Sequence, residues 1–255
     1  VWPETVLTEY PFRFGWDRSL TYRKPEVRET YRPVIPPEAH LLAGLPIYDP
    51  KENQPDHLNA AVVMNSQADP VGLYTKKYMV PFGEYIPGMG RWALVDRLAR
   101  AVGTLGYRSG SRTDPVAVTV NEREYELGVQ ICYEDAFPAY VRDQVLKGAD
   151  LLVNVSNDSW SRSEAAHWQH FYRARLRAIE TGRTLLRNGN TGVSAVISPL
   201  GTVRDHLEPF EKGVLRGEIF EPVGMSPIVT YQSGLAAGMV VLLLTVGWIR
   251  REDLS

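Results

Sequence analysis

An α/β sandwich is the fold predicted by this 255-residue sequence. Two observations carry it. Short apolar strands alternate with helical segments, and hairpin signals interrupt that alternation. The length and a hydrophobic fraction of 44% allow one domain with a substantial core.

The elements follow in order. The stretch Thr21 to Pro50 is rich in proline and charge and weak in periodicity, so it reads as a loop-heavy excursion. Ala60 to Met64 reads as a strand, leading through Asn65-Ser66 to Leu73-Tyr74. Val116 to Val120 and Tyr125 to Ile131 flank the polar turn Asn121 to Arg123, the pattern of a hairpin. Pro138 opens a helical pattern with Val141 and Val145 four apart and Gly148 as its stop. Asp150 to Val155 is a short apolar strand of the fully buried kind. Ser161 and Glu164 have the spacing of a capping box, opening a helix through Phe171, Ala174, Leu176 and Ile179 that ends near Gly182. Val193 to Ile197 and Thr202 to Asp205 flank Pro199-Leu200-Gly201, a further hairpin signal.

A net charge of −2 gives no bulk attraction to nucleic acid. The single cysteine excludes an intrachain disulfide and a Cys-cluster zinc site. Val1-Trp2-Pro3-Glu4 has neither the basic nor the apolar region of a signal peptide, and a start without Met reads as a segment of a longer protein. Near the other end, Gly234 to Ile249 carries no charge. Counted from Tyr231, the run is 19 residues, near the span of a bilayer core. Tyr231 and Trp248 sit where interfacial aromatics belong, and Arg250-Arg251 follow on one side. A membrane span is the expectation, with the arginines cytoplasmic and the preceding domain outside; a buried core helix is the alternative.

Cys132 stands where the strand ending at Ile131 gives way to a turn and then a helix. Such turns hold a nucleophile clear of the backbone beside N–H groups that can stabilise an oxyanion. A small buried hydrophobe is the plainer reading of a lone cysteine. Three segments bear on the choice: Trp2-Pro3-Glu4-Thr5, Tyr74 to Glu84, and Gly128 to Glu134. Glu4 and Lys76-Lys77 read singly as solvated charges, yet together they make a working set. A thiol needs a base to become a thiolate, a carboxylate with a raised pKa can serve, and an ammonium stabilises charge growing on a carbonyl oxygen.

The order Glu, Lys, Cys within these motifs resembles the nitrilase, or carbon–nitrogen hydrolase, superfamily. Trp2-Pro3-Glu4-Thr5, Val80-Pro81-Phe82-Gly83-Glu84-Tyr85-Ile86-Pro87, Ser156 to Trp160 with Gln169-His170, and Arg187 with Asn190-Thr191-Gly192 resemble its apolipoprotein N-acyltransferase branch. The resemblance implies a nitrilase-like α-β-β-α sandwich over 1–228, a transmembrane helix over 229–251 and a cytoplasmic tail over 252–255. It also implies membrane helices and an opening strand upstream of Trp2, which this sequence lacks. Glu4 is implied as general base, Lys76 as oxyanion stabiliser and Cys132 as nucleophile. Glu84 is implied as a supporting carboxylate, with Tyr133 and Glu134 completing the nucleophile turn. The acyl donor would be a membrane phospholipid and the acceptor the N-terminal amine of a lipid-modified cysteine of a lipoprotein. The place would be the extracytoplasmic side of the bacterial cytoplasmic membrane, with no metal or organic cofactor. A small-amide hydrolase with the same triad and an inactive remnant are the rival readings. Two positions depart from the family pattern: Ser161-Arg162 follow Trp160 where Phe-Gly is usual, and Tyr78 stands in place of a common His.

Overall fold

The computed structural model describes residues 1–4, 12–14, 19–22, 25–49, 57–87, 92, 94, 95, 97, 106–231 and 238. Two mixed sheets lie face to face. The first has the order β2-β1-β3-β4-β5, built from β1 (Phe12–Phe14), β2 (Leu20–Tyr22), β3 (Leu41–Tyr48), β4 (His57–Met64) and β5 (Pro70–Thr75). The second has the order β11-β10-β9-β8-β7-β6. Its strands are β6 (Val116–Val120), β7 (Arg123–Ile131), β8 (Leu151–Ser156), β9 (Thr184–Gly189), β10 (Ser194–Ile197) and β11 (Val203–Leu207).

Strand period two sorts the side chains into layers. Ala61, Val63 and Tyr74 of the first sheet meet Leu127, Val129, Ile131, Val153 and Val155 of the second in a central core. The outer face of the first sheet, with Leu45, Ile47, Ala60 and Val62, packs under Tyr31 of α1 (Pro25–Tyr31) and Ile35. The outer face of the second, with Leu152, Leu185 and Ile197, packs under α2 (Pro138–Leu146) and α3 (Glu164–Thr181) through Val141, Phe171, Ala174 and Ala178. The result is an α-β-β-α sandwich. Strands β7, β8 and β9 run parallel, so their carboxyl ends open at one edge, where α/β folds bind their ligands.

Both expected hairpins are present. Asn121 and Glu122 take φ of +50° and +64°, the paired left-handed conformation of a type I′ turn between β6 and β7. β10 pairs antiparallel with β11 across Pro199-Leu200-Gly201. The expected helix stops also hold: Gly148 and Gly182 follow α2 and α3 at φ of +110° and +66°.

Three expectations need correction. The stretch Thr21 to Pro50 is not mainly loop, since it contains α1 and the eight-residue β3 in the middle of the first sheet. Seven of the eight β3 residues are buried, so the strand shows no alternation, and Gly44 and Pro46 read as breakers. Ser163, not Ser161, is the N-cap of α3, and its side chain makes no capping bond. Finally, Leu176 and Ile179 are 48% and 39% exposed. The buried stripe of α3 is instead His167, His170, Phe171, Ala174, Arg177, Ala178 and Thr181, a helical period that carries polar chemistry.

No helix among the described residues is long and apolar enough to cross a membrane. The apolar run from Tyr231 to Ile249 lies, beyond Tyr231 and apart from Gly238, outside the described residues.

Candidate active site

Glu4 reaches the site because its segment is threaded along β3. Trp2 N–H donates to Leu42 O at 2.7 Å and Gly44 N–H to Trp2 O at 3.4 Å. A Cβ on Gly44 would lie 2.5 Å from Glu4 Cα, so only glycine admits the segment. Glu4 is 5% exposed. Its Oε1 accepts from Asn59 Nδ2, and its Oε2 accepts from Asn157 N–H at 2.9 Å.

Lys76 follows β5 directly and is 1% exposed. Its Nζ lies 2.8 Å from Glu84 Oε1 and 3.6 Å from Glu4 Oε1. Burial works against its charge, but Glu4, Cys132 and Glu84 outweigh burial and raise its pKa, so it stands as an ammonium. Glu84 is carried back by the turn at Pro81-Phe82-Gly83, where its Oε2 accepts from Val80 N–H at 2.8 Å. Asn59 Nδ2 donates to Glu84 Oε1 as well, at 3.0 Å, and so ties the two carboxylates together.

Cys132 heads a 3-10 helix, Cys132–Ala136, with φ of +52°. That left-handed conformation costs a non-glycine residue on the order of 1 kcal/mol and persists only where surroundings enforce it. Glu134 is one enforcer. Fully buried, it accepts from Ile131 N–H and Tyr74 Oη through Oε2, and from Lys77 and Tyr78 N–H through Oε1. It therefore fastens the elbow to the segment bearing Lys76. Desolvation pushes its pKa up to about 7 against the pull of those bonds. Tyr133, the next residue, packs edge-on against Phe137 at 5.2 Å.

Burial raises the Cys132 pKa, and Glu4 adds to the rise; Lys76 and a hydrogen bond with Ser156 lower it in part. The resting group is thus a neutral thiol beside a carboxylate, and attack requires that its proton be taken. Glu4, Asn59, Lys76, Glu84, Cys132 and Tyr133 open on a cleft of about 580 Å³ whose lining also includes Val80, Asn157, Trp160, His170 and Arg173. Among the described residues, no cluster of His, Cys, Asp or Glu could hold a metal ion.

The structure thus brings Glu4, Lys76, Glu84, Cys132 and Tyr133 to one cleft, with Glu134 buried behind the elbow. Sequence reasoning missed Asn59, whose signal is a lone amide inside the apolar strand Leu58 to Met64. It also gave no role to the polar group beneath Cys132. There Asn154, Asp135, Asp158, His170 and Arg187 are all buried. Gly192 makes room for this group, since a Cβ there would lie 2.0 Å from Asp158 Oδ2.

Residues 1–221 match the model of the carbon–nitrogen hydrolase family. The chain is 32% identical to an apolipoprotein N-acyltransferase of Azotobacter vinelandii, over 99% of this chain and 46% of that protein. It is 33% identical to apolipoprotein N-acyltransferase 2 of Treponema denticola, over 83% of this chain and 39% of that protein. The chain therefore spans about half the length, or less, of these curated relatives. Among solved structures, a carbon–nitrogen hydrolase from Helicobacter pylori G27 superposes with a TM-score of 0.53 at 19% identity, covering 73% of this chain and 64% of that one.

Proposed function

Because the chain belongs to the carbon–nitrogen hydrolase family, we propose that it is the catalytic part of an apolipoprotein N-acyltransferase. The carrying observation is the Glu4–Lys76–Cys132 cluster in a cleft lined in part by apolar and aromatic side chains. Trp160 is 72% exposed there, beside Val80 and Tyr133. The likeness to curated acyltransferases over nearly the whole chain supports the same reading.

In this reading Glu4 removes the Cys132 proton as sulfur attacks the ester carbonyl of a phospholipid. The oxyanion is met by the Lys76 ammonium and the N–H of Tyr133, which lies in the first turn of a helix, where N–H groups lack intrahelical partners. Glu4 returns the proton to the departing lysophospholipid alkoxide, leaving a thioester on Cys132. The N-terminal amine of a lipid-modified cysteine then attacks the thioester. Glu4 accepts the amine proton, the amide forms, and the thiol is restored. Glu84 neutralises Lys76 in the resting site, and Glu134 holds the elbow. No metal or organic cofactor enters the scheme.

The rest of the reading follows the family. Residues 1–228 form the catalytic domain, 229–251 a transmembrane helix and 252–255 a cytoplasmic tail, with Arg250-Arg251 inside and Cys132 at the extracytoplasmic side of a bacterial cytoplasmic membrane. The test is to incubate the chain with phospholipid–detergent micelles and a synthetic peptide whose N-terminal cysteine carries a diacylglyceryl group. Mass spectrometry should find the N-acylated peptide and lysophospholipid in equal amounts. Free fatty acid without acylated peptide, or ammonia released from small amides, would replace the transferase by a hydrolase.

A further inference from the structure

Beneath the elbow, α3 offers a histidine with both ring nitrogens engaged. His170 Nδ1 lies 2.8 Å from Asp158 Oδ1, and Nε2 lies 3.0 Å from Asp135 Oδ2 and 3.3 Å from the Cys132 carbonyl oxygen. All three partners are acceptors, so both nitrogens must carry a hydrogen. Arg187 reaches the same two aspartates, at 3.3 and 3.2 Å. Two buried aspartates and one arginine leave one negative charge over, and a buried group of this kind balances only if His170 is an imidazolium.

We propose that His170 is a positioning residue: its imidazolium, with Asn154, pins the Cys132 carbonyl so that the Tyr133 N–H is presented as an oxyanion donor. Asn154 Nδ2 donates to the same carbonyl at 3.3 Å. The described chain has no cis peptide bond. In a planar trans peptide, N–H points opposite C=O, so a carbonyl drawn towards His170 and Asn154 turns the Tyr133 N–H away from them. The same two bonds hold Cys132 at its positive φ. This inference rests on the reading of Cys132 as nucleophile.

The groups facing His170 carry both signs of charge. They are Asp135 from the elbow, Asp158 from the loop after β8, Arg187 from β9 and neutral Asn154 from β8. On its own helix, Arg173 turns to the Tyr133 ring and Arg177 pairs with Glu180. Burial and Arg187 oppose the proton, but Asp135 and Asp158 outweigh them and raise the His170 pKa.

The experiment separates two reactions of one sulfur. Alkylation by iodoacetamide needs a thiolate but no oxyanion donor; acylation by p-nitrophenyl butyrate needs both. In His170→Gln, acylation should fall between about tenfold and a hundredfold, while alkylation stays within about threefold of the parent. Equal losses in both would make His170 merely structural, and no loss in either would overturn the proposal outright. NMR of the histidine-labelled parent gives a readout that does not depend on folding of the variant. His170 should be doubly protonated at neutral pH, and a neutral ring would overturn the proposal. A parent that p-nitrophenyl butyrate never acylates would remove the nucleophile reading and this inference with it; an acylated parent with an unaltered His170→Gln would remove this inference alone.

Discussion

Lys76 Nζ sits 2.8 Å from Glu84 Oε1, closer than to Glu4 Oε1 at 3.6 Å. The ammonium therefore takes its short ion pair from Glu84, while Glu4 Oε2 accepts from the Asn157 N–H. That division suits a site in which one carboxylate balances charge and the other moves a proton. Removing one member of a buried pair is costly because the other is left uncompensated. Glu84→Gln should lower the acylation rate by roughly tenfold or more. Single-turnover kinetics with a small ester check this, and a rate within twofold of the parent would end the supporting role of Glu84.

The roles of Glu4 and Lys76 differ in sign at the sulfur. Glu4 raises the Cys132 pKa and Lys76 lowers it. Glu4→Gln should therefore speed alkylation of the thiol at a fixed pH while acylation nearly vanishes, because the amide accepts no proton. Lys76→Met should slow both: the thiol pKa rises, and an oxyanion contact worth about 3 kcal/mol is lost. Iodoacetamide rates measured across pH for both variants settle the matter. If alkylation shifts the same way in both, the base and the electrophile have been assigned wrongly.

What the sequence disclosed and what it hid have physical causes. The hairpins and α2 were legible because turn chemistry and periodicity are local properties. β3 was hidden because burial on both faces removes alternation, and because Gly44 serves an approach by Glu4 that no local pattern reveals. The proximity of Glu4, Lys76 and Cys132 was legible only through resemblance, since Glu4 and Cys132 are brought together by the pairing of distant strands. Asn59, Asn154 and Asp135 carry little sequence signal, because a single buried amide or carboxylate looks like any polar residue until its neighbours are known. The polar stripe of α3 was misread for a related reason: His170 and Arg177 occupy positions that periodicity assigns to apolar side chains.

Strain at the elbow makes a further prediction. Cys132 holds φ of +52°, which glycine adopts without cost. Cys132→Gly should abolish acylation yet keep, or raise by up to about 1 kcal/mol, the stability of the fold, whereas Cys132→Ala retains the strain. Thermal denaturation of the two variants side by side gives the comparison. A glycine variant clearly less stable than the alanine variant would mean that the elbow is not strained.

Glu134 should make stability depend on pH in the direction opposite to a surface carboxylate. Its folded pKa of about 7 lies above the unfolded value near 4.5. Between those values the native state holds a proton that the unfolded chain has released, so stability falls as pH rises through that window. The contribution is present below the unfolded pKa and is lost by about pH 7, and it amounts to roughly 3 kcal/mol at most. Glu134→Gln has no proton to lose, so its stability should be flatter across the window. It also replaces one carboxyl oxygen, which can accept a bond even when protonated, by an NH2 group that only donates, facing either the Ile131 and Tyr74 donors or the Lys77 and Tyr78 N–H groups, and should be less stable than the parent at pH 5. Urea denaturation of parent and variant at pH 5 and pH 8 is the measurement. The gap between them should narrow at the higher pH. A gap that widens instead would show Glu134 to be a stabilised carboxylate in the folded protein, with the four donors outweighing its burial.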